Sequence, residues 1–69
     1  MMKNDVYIRS YSTGRYLMPL GGWSAVRTSA REFLSLSAAR DWCVEGRLIN
    51  VEIVVVRDEL LCMRVPVQE

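Results

Sequence analysis

The chain contains no histidine and only one lysine, Lys3, among its 69 residues. Histidine is the most common general base and metal ligand, so its absence removes the usual route to acid–base or zinc chemistry. Serine is plentiful, but neither a G-x-S-x-G elbow nor an S-x-x-K pair is present to activate one. The glycines at 14, 21 and 22 form no phosphate-binding loop. We therefore predict a protein that is not an enzyme and uses no cofactor or metal.

The sequence also lacks a long hydrophobic run and a secretory leader. The longest apolar runs, such as Ile53–Val56, fall far short of the roughly 20 residues of a membrane span. Residues 1–5 lack the apolar region of a signal peptide. The apolar fraction of 51% argues against disorder. We expect one domain over residues 1–69, located in the cytoplasm and not in a membrane.

Cysteine is scarce too: Cys43 and Cys62 are the only two. They allow either one disulfide or two free thiols, and the missing leader favours buried free thiols. Their spacing matches no metal-binding motif. Cys43 falls on an apolar helical stripe, where burial raises a thiol pKa and makes the group unreactive.

The basic residues are almost all arginine: the chain has eight arginines and one lysine, with a net charge of only +1. So small a net charge gives no global field that would attract nucleic acid. Arginine is favoured at protein interfaces, because its planar guanidinium makes bidentate contacts that lysine makes poorly. A GC-rich codon bias explains the same composition, and both explanations stay open.

Apolar alternation and turn residues predict four strands and one main helix. The strands are residues 5–11, 15–20, 49–56 and 60–67, and the helix is Leu36–Glu45, started by Ser35 or Ser37 and ended by Gly46. Ser29–Glu32 has the form of a capping box that starts a separate helical turn. Gly21-Gly22 predicts a loop, with a tight hairpin into a short strand at 23–26 as the alternative. The order β-β-α-β-β predicts an α+β two-layer sandwich with a four-stranded, mainly antiparallel sheet.

The third of these strands is apolar on both faces. Val51–Val56 carries β-branched residues at both odd and even positions, so neither face is suited to water. The predicted core contains Val6, Ile8, Phe33, Leu36, Ala39, Trp42, Ile53 and Val55. Because one helix cannot cover both faces of a sheet, we expect association, either as a homodimer through the sheet or with another protein.

One strand face carries the best candidates for a partner-binding site. Alternation places Tyr7, Arg9 and Tyr11 together, and Arg15 and Arg64 are expected to extend the patch. Such a surface is typical of protein-binding hot spots, of single-stranded nucleic-acid contacts, or of ordinary cross-strand packing. The exposed helix face, with Asp41 and Glu45, is the alternative binding surface.

The first two thirds of the chain, about residues 5–45, contain a G-x-Y-L strand, a tryptophan, then A-x-x-F-x-S before an alanine-containing helix. The residues of this pattern are Gly14, Tyr16, Leu17, Trp23, Ala30, Phe33, Ser35, Ala38 and Ala39. In this pattern the chain resembles small proteins encoded by phages and prophages. The resemblance implies an accessory protein of a mobile element that binds and inhibits a host protein or complex, as anti-CRISPR proteins do. It carries over no functional residue.

Overall fold

The protein is described by a computed structural model covering residues 4–58 and 60–67, without the side chain of Cys62. Its elements are β1 (Asn4–Ser10), β2 (Tyr16–Leu17), β3 (Trp23–Ser24), a 3₁₀ turn (Arg27–Ser29), α1 (Leu36–Glu45), β4 (Val51–Arg57) and β5 (Leu60–Val67). The strands form one antiparallel sheet in the order β3-β2-β1-β4-β5. The α+β class with one main helix is thus confirmed.

The predicted count of four strands is too low, because Trp23–Ser24 pairs with β2 as an additional strand. Gly21 and Gly22 both have positive φ, 90° and 82°, which glycine adopts without steric cost. The amide of Met18 donates to the carbonyl of Gly22 over 3.1 Å and closes the reversal. Gly21 and Gly22 thus lie in a five-residue connection, 18–22, as the loop interpretation had it, and the extra strand of the hairpin alternative is present but limited to Trp23–Ser24.

The bounds of α1 agree with the sequence prediction, and Ser35 is the residue that caps it. The Ser35 hydroxyl accepts a hydrogen bond from the amide of Ala38 at 3.1 Å, which satisfies one free donor of the first turn. At the other end Gly46 is right-handed, with φ −81°, and the left-handed residue is Arg47. The predicted capping box at Ser29–Glu32 starts no helix, because the 3₁₀ turn ends at Ser29.

Residues 30–33 carry the chain from one face of the sheet to the other. Ala30 packs on the side of the sheet opposite α1, whereas Phe33 packs on the side of α1. Between them the Arg31 amide donates to the Leu17 carbonyl at 2.8 Å. The Phe33 amide donates to the Val6 carbonyl at 2.9 Å. This one-residue bridge pairs Phe33 with β1 on the same side of β1 as β2.

Burial occurs on both faces of the central strands. On the helix side, Ala39 and Cys43 of α1 pack with buried residues of β1, β2 and β4, namely Val6, Ile8, Leu17, Val51 and Ile53. On the other side Tyr7, Val54 and Val56 form a second buried cluster, with Tyr16 and Ala30 against it. The prediction that neither face of the Val51–Val56 strand meets water is thus confirmed.

Two predicted core residues, Leu36 and Trp42, lie at the rim of the helix and not beneath it. Trp42 is 41% exposed, and the Arg31 guanidinium lies 4.0 Å from its ring centroid. The Phe33 ring, itself half-buried, is 6.0 Å from that of Trp42. The core assignment of Leu36 and Trp42 was wrong because the narrow buried stripe of α1 is held by the small residues Ala39 and Cys43.

Candidate functional site

The face of the sheet without a helix is built around one buried carboxylate. Glu52 of β4 is only 2% exposed, and Arg9 of β1 and Arg64 of β5 approach it from either side. Arg9 Nε donates to Glu52 Oε2 at 2.7 Å, and Arg64 Nε donates to Glu52 Oε1 at 3.0 Å. Because β4 lies between β1 and β5, the three side chains form one ion-pair triad, here called the arginine triad.

The electrostatics of the triad favour the charged states of Glu52 and Arg9. Burial raises the pKa of Glu52, but the hydrogen bonds from Arg64 and Arg9 outweigh it and hold the pKa below its usual value. For Arg9, burial lowers the pKa, while the contacts with Glu52 and Tyr16 raise it by more. Both arginines therefore already have Glu52 as an ion-pair partner, and Arg9 is more buried in this contact than the half-exposed Arg64.

The five residues expected to form a binding patch do not lie together on an open surface. Tyr7 is only 5% exposed, with its ring 5.8 Å from that of Tyr16 in an edge-to-face contact. Tyr11 follows the end of β1, where its amide donates to the Asn50 carbonyl at 2.7 Å. Arg15 is exposed in the turn before β2. Arg9 and Arg64 do share a face, as expected, but Glu52 joins them.

The open apolar surface lies instead on the helix side, along β5. By register with Val55, Ile53 and Val51, the residues Met63, Val65 and Val67 point to the side of α1. Met63 is 50% exposed, because α1 packs over β1 and β4 and does not reach the outer strand. Val65 and Val67 are half-buried against the helix-side core, so this row is only partly covered and the two-layer sandwich is incomplete along β5.

Between this row and the helix is a groove with a volume of about 280 Å³. Leu36, Arg40 and Val44 form its helical wall, Ile53 its floor, and Val65, Pro66 and Val67 its other wall. We call this the α1–β5 groove. Its helical residues are four apart, so they form one row along the side of α1.

Arg40 is the one charged residue of this lining. In contrast to Arg9, Arg31 and Arg64, it makes no ion pair, hydrogen bond or ring contact within the described part of the chain. Asp41 and Glu45 are exposed, as the sequence predicted, but they do not line the groove. The groove therefore combines apolar walls with one available positive charge.

Sequence reasoning missed both Glu52 and the helical row of the groove. The signal for the row was present, since Leu36, Arg40 and Val44 recur every four residues, but Leu36 was assigned to the core. The signal for Glu52 was a charge inside a valine-rich strand. Its meaning depends on strand order, which places an arginine on each side of it.

Other reactive or binding chemistry is sparse in this part of the molecule. Cys43 is a free, buried thiol, and burial raises its pKa, as the helical stripe predicted. The side chain of Cys62 and residue Glu59 of the β4–β5 connection lie outside the described residues. Within residues 4–58 and 60–67, no cluster of three metal-ligating side chains occurs. Nor does this part of the chain contain a helix long and apolar enough to cross a membrane.

Comparison of the chain with protein-family models, with curated proteins and with solved structures gave no match.

Proposed function

We propose that this chain is a small non-enzymatic protein-binding module that acts through the α1–β5 groove and the adjoining row of β5. The supporting observation is the partly covered apolar row of β5, with Met63 half-exposed, beside a helix that packs mainly on the inner strands. Leu60, at the start of β5, is 70% exposed. A contiguous apolar patch with a polar rim is typical of a surface that another protein covers.

The resemblance of residues 5–45 to phage and prophage proteins suggests what kind of protein that partner is. On this basis we propose an accessory protein of a mobile element, acting in the host cytoplasm and inhibiting a host protein or complex in the manner of anti-CRISPR proteins. Such inhibition requires only tight docking on a functional surface, so the lack of catalytic motifs is compatible with it.

A nucleic-acid-binding role through Tyr7, Arg9, Tyr11, Arg15 and Arg64 is less well supported. Stacking on a base requires an accessible aromatic face, and Tyr7 is buried against Tyr16. Neutralising a phosphate requires a free cation, and Glu52 already pairs with Arg9 and Arg64. Only Tyr11 and Arg15 remain outside these contacts.

The test is capture from a bacterial host lysate, with and without nuclease, using the wild type and two matched variants. Val44→Lys places a charge in the groove, whereas Val26→Lys changes a residue of similar exposure, 59% against 55%, away from it. We expect a host protein to be retained after nuclease treatment by the wild type and Val26→Lys and lost by Val44→Lys. Capture of nucleic acid alone, or equal capture by both variants, would contradict the proposal.

A further inference from the structure

We infer that the occupant of the α1–β5 groove is an amphipathic helix of the partner protein that carries an acidic residue facing Arg40. This inference rests on the proposed function and specifies the chemistry of the partner. It follows from the geometry of the helix layer, the irregular edge of β5 and the positive charge in the groove lining.

The α1–β5 groove is large enough to receive a few side chains of a helix that lies along it. A helix is about 10 Å wide and strands lie about 4.8 Å apart, so α1 covers about two strands and leaves β5 only partly covered, with Val65 and Val67 half-buried. From Leu36 to Val44 the helical wall extends about 12 Å, and from Met63 to Val67 the β5 row extends about 13 Å. Two turns of a second helix, presenting apolar residues at i, i+3, i+4 and i+7, would complete the layer.

An added strand fits the β5 edge less well. Pro66 has no amide to donate, and the β4–β5 register is irregular at Val55/Val56. Arg64, half-exposed, places a charge on the same strand. Irregularity, proline and charge are the features by which edge strands avoid pairing with another strand. The side of β5 that faces the groove, in contrast, carries apolar side chains only, so helix docking is the favoured mode.

The charges distinguish an external helix from α1 of a second copy. Arg40 is available in the lining, so an acidic side chain on the incoming helix would pair with it. The outward row of α1 is Ser37, Asp41 and Glu45, all exposed. Docking this row into the groove of a second copy would press two carboxylates against Met63 and Val65. A partner helix with an apolar face and an acidic flank avoids that cost.

The experiment measures binding of two synthetic amphipathic peptides of about 15 residues, a length at which isolated helices begin to form. The peptides share one leucine stripe and differ only in having glutamate or lysine beside it. By fluorescence anisotropy, we expect the acidic peptide to bind the wild type at least about tenfold more tightly than the basic one. Arg40→Glu should reverse this preference, while Arg15→Glu, a charge reversal outside the groove, should leave it unchanged.

Each other outcome overturns the inference. Equal binding of both peptides, or no binding of either, excludes an acidic helix as the occupant. The proposed function is tested separately, because it is still supported if Val44→Lys abolishes capture of the host protein. If sedimentation at micromolar concentration shows a dimer that Val44→Lys dissociates, the occupant is a second copy. Binding of the acidic peptide that Arg15→Glu abolishes and Arg40→Glu does not would place the site elsewhere.

Discussion

The two faces of the sheet are covered in different ways, and the face that carries α1 is the less fully covered one. On the helix side, Ala39 and Cys43 cover β1 and β4 but leave β5 only partly covered. On the opposite side the described residues place no α-helix, yet Val54 and Glu52 are as buried as the residues under α1. The arginine triad and the segment that carries Ala30 provide that cover. Secondary structure alone therefore does not show which surface is available to a partner.

The largest expected effect separates the covered and uncovered parts of the helix side. Ile53 and Val65 are directly opposite each other on β4 and β5, but Ile53 is buried and Val65 only half-buried. We expect Ile53→Ala to lower the free energy of unfolding by about 3–4 kcal/mol, because it leaves a cavity under α1. Val65→Ala should cost only about 1 kcal/mol in the same chemical denaturation experiment. Equal costs would mean that β5 is covered after all.

The next prediction concerns the face without a helix. Glu52→Ala would leave Arg9 without its carboxylate on a largely buried face, and we expect a loss of about 3 kcal/mol. Arg64→Ala in the Glu52→Ala background should then cost less than it does in the wild type, which a double-mutant cycle measures. Glu45→Ala, at an exposed position of α1, is the control and should change stability little. A cost for Glu52→Ala no larger than that of the control would refute the triad as the cover of this face.

Trp42→Ala should have a smaller effect than a core position would predict. The change removes the contacts with Arg31 and Phe33 at the rim of α1 but opens no cavity beneath the helix. We expect a cost of about 2 kcal/mol, in the range of a cation–π contact plus partial apolar burial. If Trp42→Ala lowered the free energy of unfolding as much as Ile53→Ala does in the same denaturation experiment, Trp42 would be a core residue.

Acid should weaken the helix-free face selectively. The folded-state pKa of Glu52 is lowered, so its stabilisation is complete above the ordinary glutamate pKa of about 4.3 and is lost as the pH falls through the lowered value. The stability difference between the wild type and Glu52→Gln should therefore be largest near neutral pH and should shrink below about pH 4. A difference that stays constant over this pH range would show that the carboxylate is not stabilised by the arginines.

The sequence predicted local structure well, because local signals determine it. Ser35 and Gly46 mark the ends of α1, and the apolar run of β4 indicated burial on both faces. Long-range pairing could not be derived in this way. Only the strand order places Glu52 between Arg9 and Arg64, and only the position of α1 over the inner strands leaves Met63 uncovered. The patch predicted from the sequence therefore lacked the carboxylate that joins its arginines, although Tyr7 and Arg9 were correctly assigned to one side of β1.

The most direct test of the account is the dissociation constant of the captured partner for two variants that alter opposite regions. Val44→Lys alters the α1–β5 groove. Tyr11→Ala combined with Arg15→Glu alters the two exposed residues of the sequence-predicted patch that lie outside the arginine triad. We expect Val44→Lys to weaken binding at least about tenfold, or about 1.4 kcal/mol, and the double variant to bind as the wild type does. Normal binding by Val44→Lys together with loss in the double variant would contradict the assignment of the groove as the binding surface.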